Sequence, residues 1–194
     1  MKTLMLLGAM LLVTAMAPAP RALADIQAAQ INYADGQTVL KGYMVWDDAY
    51  LGIRPGVLVF PEWWGLNDYA RQRADQLAEM GYVAFAADMY GDGRVATTAD
   101  DARKLSGPFM ADRKLMRTRA ASALARLLQN KMVDPQAVAA VGYCFGGTCA
   151  LELARSGADV KATVVFHGGL TTPNPGDARN IRGKVLALQG GIDP

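Results

Sequence analysis

The run Val57-Leu58-Val59-Phe60 contains no polar residue, and so short an apolar stretch between the turn Arg54-Pro55-Gly56 and a loop suits a strand covered on both faces. Strands of that kind belong to a parallel sheet with helices on either side. The rest of the chain repeats the theme. A helix over Asp68 to Met80 stops at Gly81, a strand covers Tyr82 to Ala87, and helical segments lie between Thr98 and Lys131. A strand over Ala137 to Tyr143, a helix over Thr148 to Ser156, and strands over Ala162 to Phe166 and Val185 to Gln189 follow. This alternation predicts right-handed crossovers and an α/β fold on a mostly parallel, doubly wound sheet with helices on both faces. Ahead of it, Ala28 to Trp46 reads as two antiparallel edge strands around Ala34-Asp35-Gly36-Gln37, since Asp-Gly is a strong hairpin signal.

Length and charge narrow the reading further. With 194 residues, 52% hydrophobic and 20% charged, the chain has the make-up of one globular domain. A net charge of +2 with both signs interspersed offers no basic stripe for phosphates, which argues against a nucleic-acid partner. Lys2 precedes the apolar run Leu4 to Ala17, and Ala22-Leu23-Ala24 stands just before Asp25, the pattern of a secretory signal peptide over residues 1–24. The run is shorter than the ~20 residues that span a bilayer, and Pro18 and Pro20 break it. A periplasmic or secreted domain over 25–194, free of the membrane after cleavage, is the expectation. Export would ordinarily suggest a disulfide, but Cys144 and Cys149 on one helical segment would lie roughly 8–9 Å apart, too far to bridge, so two independent thiols are expected.

In an open α/β sheet, ligands bind beyond the carboxyl ends of the strands, and four loops fall there. They are Pro61-Glu62-Trp63-Trp64-Gly65, Asp88-Met89-Tyr90-Gly91, Gly142-Tyr143-Cys144-Phe145-Gly146-Gly147 and Gly190-Gly191-Ile192-Asp193. The third has the Gly-x-nucleophile-x-Gly spacing of a hydrolase elbow, set between an apolar strand and a small-residue helix. A tight turn leaves no room for side chains two residues either side of the nucleophile, hence the glycines. The amino terminus of the following helix should favour thiolate at Cys144. Cys149, among Ala150, Leu151 and Ala154, reads as a small buried side chain. In this fold the acid follows the nucleophile and a histidine follows the acid. Asp193 stands where the acid should be, although an aspartate before Pro194 is also an ordinary turn former. The sole histidine, His167, precedes the acid and reads as a strand-end or pocket-wall residue, with the catalytic base the other reading, against which chain order argues. The chain therefore reads as one cut off before its last strand, histidine loop and helix.

At these motifs the sequence resembles the dienelactone hydrolase family, from about Gln30 to Pro194. The matching blocks run from Val59 to Asn67, from Asp88 to Gly93, from Gly142 to Gly147 and from Gly190 to Pro194. The resemblance implies an α/β-hydrolase fold and a Cys-Asp-His triad with Cys144 and Asp193 in the first two places. It also implies that Glu62 contacts the resting thiol and takes part in its activation, and that the amides of Trp63 and Phe145 form an oxyanion hole. The family's archetype holds a substrate carboxylate with an arginine directly after an Asp-x-Tyr-Ala block, whereas here Gly91-Asp92-Gly93 intervenes before Arg94. Tyr90 and Arg94 are the residues of that block that would meet substrate, with a surface cation the other reading of Arg94. The expected activity is hydrolysis of small esters or lactones through an acyl-enzyme, by a monomer that needs neither metal nor cofactor; the 194-residue chain itself, without the triad histidine, is expected to lack turnover. A binding protein that retains the hydrolase pocket is the alternative; a thiol-redox protein is disfavoured because neither cysteine lies in a Cys-x-x-Cys pair.

Overall fold

The structure, a computed structural model, describes residues 25–193. The expected signal segment, residues 1–24, lies outside the described residues. Strand β1 (Ile26–Asp35) and strand β2 (Thr38–Asp47) form a hairpin in which Asp35 faces Thr38 and the two-residue loop begins at Gly36 with φ of +58°. A glycine there takes the positive φ that a tight hairpin turn requires. Five further strands follow: β3 (Arg54–Phe60), β4 (Val83–Ala86), β5 (Val133–Tyr143), β6 (Ala162–Phe166) and β7 (Lys184–Leu188). They join the hairpin in one seven-stranded sheet of order β1-β2-β4-β3-β5-β6-β7. The pairs β1–β2 and β2–β4 are antiparallel and the others parallel. The hairpin thus forms one edge of the sheet, with β1 outermost and β2 hydrogen-bonded on both sides.

Alternation along the strands sorts the core into two layers. Val57, Val59, Ala84 and Ala86 face one side, where helix α1 (Asp68–Glu79) lays Ala70, Ala74 and Ala78 against them. Alanines at four-residue spacing let a helix sit close on a sheet. Leu58, Phe60, Val83 and Phe85 face the other side and meet helices α2 (Ala99–Ala111), α3 (Arg113–Leu128) and α4 (Phe145–Arg155). Helices therefore cover both faces, as the apolar runs require.

Four local features differ from the sequence reading or were absent from it. The helical stretch between Thr98 and Lys131 breaks at Asp112, which ends α2 and caps α3 by accepting from the Lys114 and Leu115 amides. Helix α4 starts at Phe145 rather than Thr148, so it leaves the elbow with no intervening loop. A 3₁₀ turn over Pro175–Asn180 precedes β7. A charge cluster secures it: Glu152, fully buried, binds Arg117 at 2.7 Å and Arg155 at 2.8 Å, and Arg117 also reaches Asp177 at 2.7 Å. Finally β7 is exposed throughout, with Val185, Leu186 and Leu188 each more than two-fifths open to solvent.

Candidate active site

Parallel strands β3, β5, β6 and β7 end together, and β4 beside them, so the loops after Phe60, Ala86, Tyr143, Phe166 and Leu188 gather at one rim. Cys144 occupies the turn between β5 and α4. Its amide continues the sheet by donating to Phe166 O at 2.9 Å, while its carbonyl accepts the first helical bond from Thr148 at 3.3 Å. Meeting both demands forces φ of +55° and ψ of −119°, a conformation that costs a residue with a Cβ about 1–3 kcal/mol. The flanking glycines are obligatory on contact grounds. A Cβ at Gly142 would lie 2.0 Å from Gly146 O, and one at Gly146 would lie 2.1 Å from Phe60 O. The elbow spacing is therefore a packing requirement of β3, β5 and α4 pressed together.

The sulfur stands in the wall of an apolar cavity of about 210 Å³, with Trp63, Phe145, Thr148, Met110 and His167 around it. The Trp63 and Phe145 amides take no partner among the turn and loop hydrogen bonds of the described residues. The Phe145 amide points at the Cys144 sulfur and favours its charged form. The net balance goes the other way: burial first, then the Glu62 and Asp193 carboxylates, hold the thiol above the ordinary range. The helix terminus favours thiolate through that amide, as expected, but burial outweighs it. A helix terminus contributes about 0.3–1 kcal/mol, and desolvation of a half-buried thiol between two carboxylates outweighs it. Cys149 is fully buried, and burial pushes its thiol still higher; both cysteines are free.

Glu62 is half-buried in the turn that its own carbonyl closes by accepting from Gly65 at 3.1 Å. Asp193 sits in a tight turn, where its carboxylate accepts from the Gly190 amide at 3.0 Å. His167, at a φ of +42°, places Nδ1 3.9 Å from Asp193 Oδ2, too long for a hydrogen bond. Cys144, Glu62, Asp193 and His167 are therefore together at the rim, with His167 in the cavity wall, one of the positions the sequence offered for it. Cys144 N donates to Phe166 O on one side, and the His167 amide donates to Leu188 O at 2.8 Å on the other, so His167 stands between the elbow and the Asp193 turn. Tyr90 and Arg94 lie elsewhere. They line a second cavity of about 260 Å³ with Lys104, Phe109 and Arg119, and the Arg94 guanidinium donates to the Tyr90 and Gly91 carbonyls of its own loop. Tyr90 is buried, and its hydroxyl donates to Trp63 O at 2.8 Å. No group of three or more His, Cys, Asp or Glu side chains able to hold a metal occurs among the described residues.

Residues 40–194 match the model of the dienelactone hydrolase family. A Synechocystis protein provisionally named a carboxymethylenebutenolidase is 30% identical over 181 residues, which cover 86% of this chain and 72% of that one. Protein usf of Aquifex pyrophilus is 35% identical over 139 residues, 69% of this chain and 59% of that protein. The chain thus spans less than two-thirds of the length of this second relative. Among solved structures, a dienelactone hydrolase-like promiscuous phosphotriesterase from metagenomic libraries superposes with a TM-score of 0.82 at 46% identity, over 87% of this chain and 70% of that one.

Proposed function

The chain belongs to the dienelactone hydrolase family, and on that premise we propose that it hydrolyses small carboxylic esters or lactones through Cys144. The observation that carries the proposal is the strained turn that sets the Cys144 sulfur in an apolar cavity with the Phe145 amide aimed at it. A thiol is a poor nucleophile, so it must lose its proton as the substrate carbonyl arrives. Glu62 is the carboxylate that would accept that proton. The Cys144 sulfur then bonds to the carbonyl carbon, and the oxyanion forms against the Trp63 and Phe145 amides. The carbon–oxygen bond of the leaving group breaks next, its oxygen taking the proton that Glu62 accepted and leaving an acyl-thioester on Cys144. Water releases the acyl group with help from a base. The family resemblance gives that task to a histidine after Asp193 in chain order; His167, which precedes the acid and stands beyond hydrogen-bond length from it, is a cavity-wall residue in this scheme.

The cavity is small and mostly apolar, which favours short acyl groups. The test measures hydrolysis of p-nitrophenyl acetate and of small lactones by the wild type, Cys144→Ala and Glu62→Gln. Cys144→Ala loses on the order of 10³-fold or more, as expected when a nucleophile is removed and only binding and the oxyanion hole remain. Retention of activity by Cys144→Ala would reject the nucleophile. A second reading, a binding protein that keeps the pocket without turnover, is favoured by the position of the one histidine of these 194 residues, which precedes Asp193 in chain order. Saturable ligand binding without product release would support it. An exported location, proposed from residues 1–24, is checked by amino-terminal sequencing of the exported fraction, which should start at Asp25.

A further inference from the structure

The block after β4 puts no side chain into the wall of the Cys144 cavity, and the reaction proposed above does not use it. Asp88 is nonetheless 1% exposed, a costly place for a carboxylate. Its oxygens accept from four amides. Tyr90 and Gly91 donate to Oδ1 at 3.0 and 2.9 Å, and Lys41 and Gly93 donate to Oδ2 at 2.9 and 2.8 Å. Gly91 and Gly93, at φ of +91° and +69°, let those amides converge on one acceptor. The carboxylate is satisfied, and in return the turn has one shape.

That turn presents Tyr90. Its ring lies 5.8 Å from the Phe145 ring and 5.9 Å from that of Phe109, and its hydroxyl donates to Trp63 O. Burial holds the hydroxyl protonated well beyond the ordinary tyrosine range, so it stays a donor. The backbone on the far side of Trp63 is equally confined: a Cβ at Gly65 would stand 3.2 Å from the Tyr90 ring and 2.7 Å from Arg94 O. One side chain therefore touches both residues whose amides face the reacting oxygen. We infer that Asp88 and Tyr90 are positioning residues for the oxyanion hole, with Asp88 fixing the turn and Tyr90 fixing the separation of Trp63 and Phe145. The inference rests on the oxyanion-hole assignment of the proposed function. It accounts for why the loop is built around a buried carboxylate: donors aimed at a developing charge are effective only if they do not have to move when it forms.

Two reactions of the same sulfur separate this role from thiol activation and from general support of the fold. Attack on p-nitrophenyl acetate develops an oxyanion, whereas alkylation by iodoacetamide displaces iodide at a tetrahedral carbon and develops none. Tyr90→Phe lowers the rate constant for acylation about tenfold, since small misplacement of catalytic donors is costly, and leaves alkylation unchanged. Asp88→Asn replaces one accepting oxygen with a donor facing two amides and moves the ratio of the two rates the same way. An unchanged acylation rate in Tyr90→Phe, or an equal loss in both reactions, overturns the inference. Failure of the nucleophile assignment itself would show differently, as p-nitrophenol release by Cys144→Ala at the wild-type rate.

Discussion

Burial and two carboxylates keep Cys144 a thiol while its backbone strain keeps the sulfur in reach of a ligand. The pH dependence follows. A raised thiol means that the thiolate fraction, and with it alkylation by iodoacetamide, keeps climbing with pH past the ordinary cysteine range. Glu62→Gln removes a negative charge that opposes the thiolate, so it lowers the thiol's midpoint and moves the whole profile to lower pH. A profile that stays in place or moves up contradicts the assignment of Glu62 as a neighbour of the sulfur. Peptide mapping after brief labelling should find Cys144 modified well before Cys149, which has no exposed surface. Gly146→Ala is a stability test of the same turn. Its new methyl would overlap Phe60 O, and the variant should lose about 3 kcal/mol in denaturant unfolding. At this scale the elbow was legible because its spacing is steric and local. The raised thiol was not, since its largest cause is burial, which tertiary packing sets and no local spacing records.

Among the elements, legibility followed the strength of the local signal. Apolar runs placed β3 to β7 to within a few residues, apart from the amino-terminal extension of β3 to Arg54 and β5 to Val133, where the pairing shifts register between Pro55 and Gly56. Phe145-Gly146-Gly147 reads as a loop because glycines are poor helix formers, yet the elbow requires the helix to begin there. The split at Asp112 is a capping event that one aspartate decides. The Pro175–Asn180 turn depends on Arg117 and Glu152 from other helices and carries no periodic pattern of its own. Glu152→Ala should therefore destabilise by about 3 kcal/mol or more, because it leaves Arg117 and Arg155 without their buried partner; a shifted denaturation midpoint with unchanged slope checks it. A loss near zero would mean that the cluster is solvated. At β7 the prediction concerns association. An edge strand with Val185, Leu186 and Leu188 exposed invites pairing, so light scattering of the 194-residue chain should rise with concentration, and Leu186→Lys should suppress it.

Seen whole, the molecule brings to one rim five loops that the sequence spreads from residue 61 to residue 193, and the strand order is what does so. Placement of Glu62, Cys144 and Asp193 at strand ends was legible, because a parallel sheet puts all its carboxyl ends on one side. That Tyr90 would turn inward to Trp63 and away from the Cys144 cavity was not, since it depends on the four amides collected by Asp88. The central claim is that the Cys144 sulfur takes the acyl group, and one measurement reaches it with no assumption about later steps. The protein is quenched in acid shortly after mixing with p-nitrophenyl acetate, digested, and mapped by mass spectrometry. The account predicts one acetyl group on the peptide that holds Cys144, labile to hydroxylamine as a thioester is, and absent in Cys144→Ala. Acetylation confined to lysines or hydroxyls, or a Cys144 peptide that stays unmodified while p-nitrophenol is released, would contradict it.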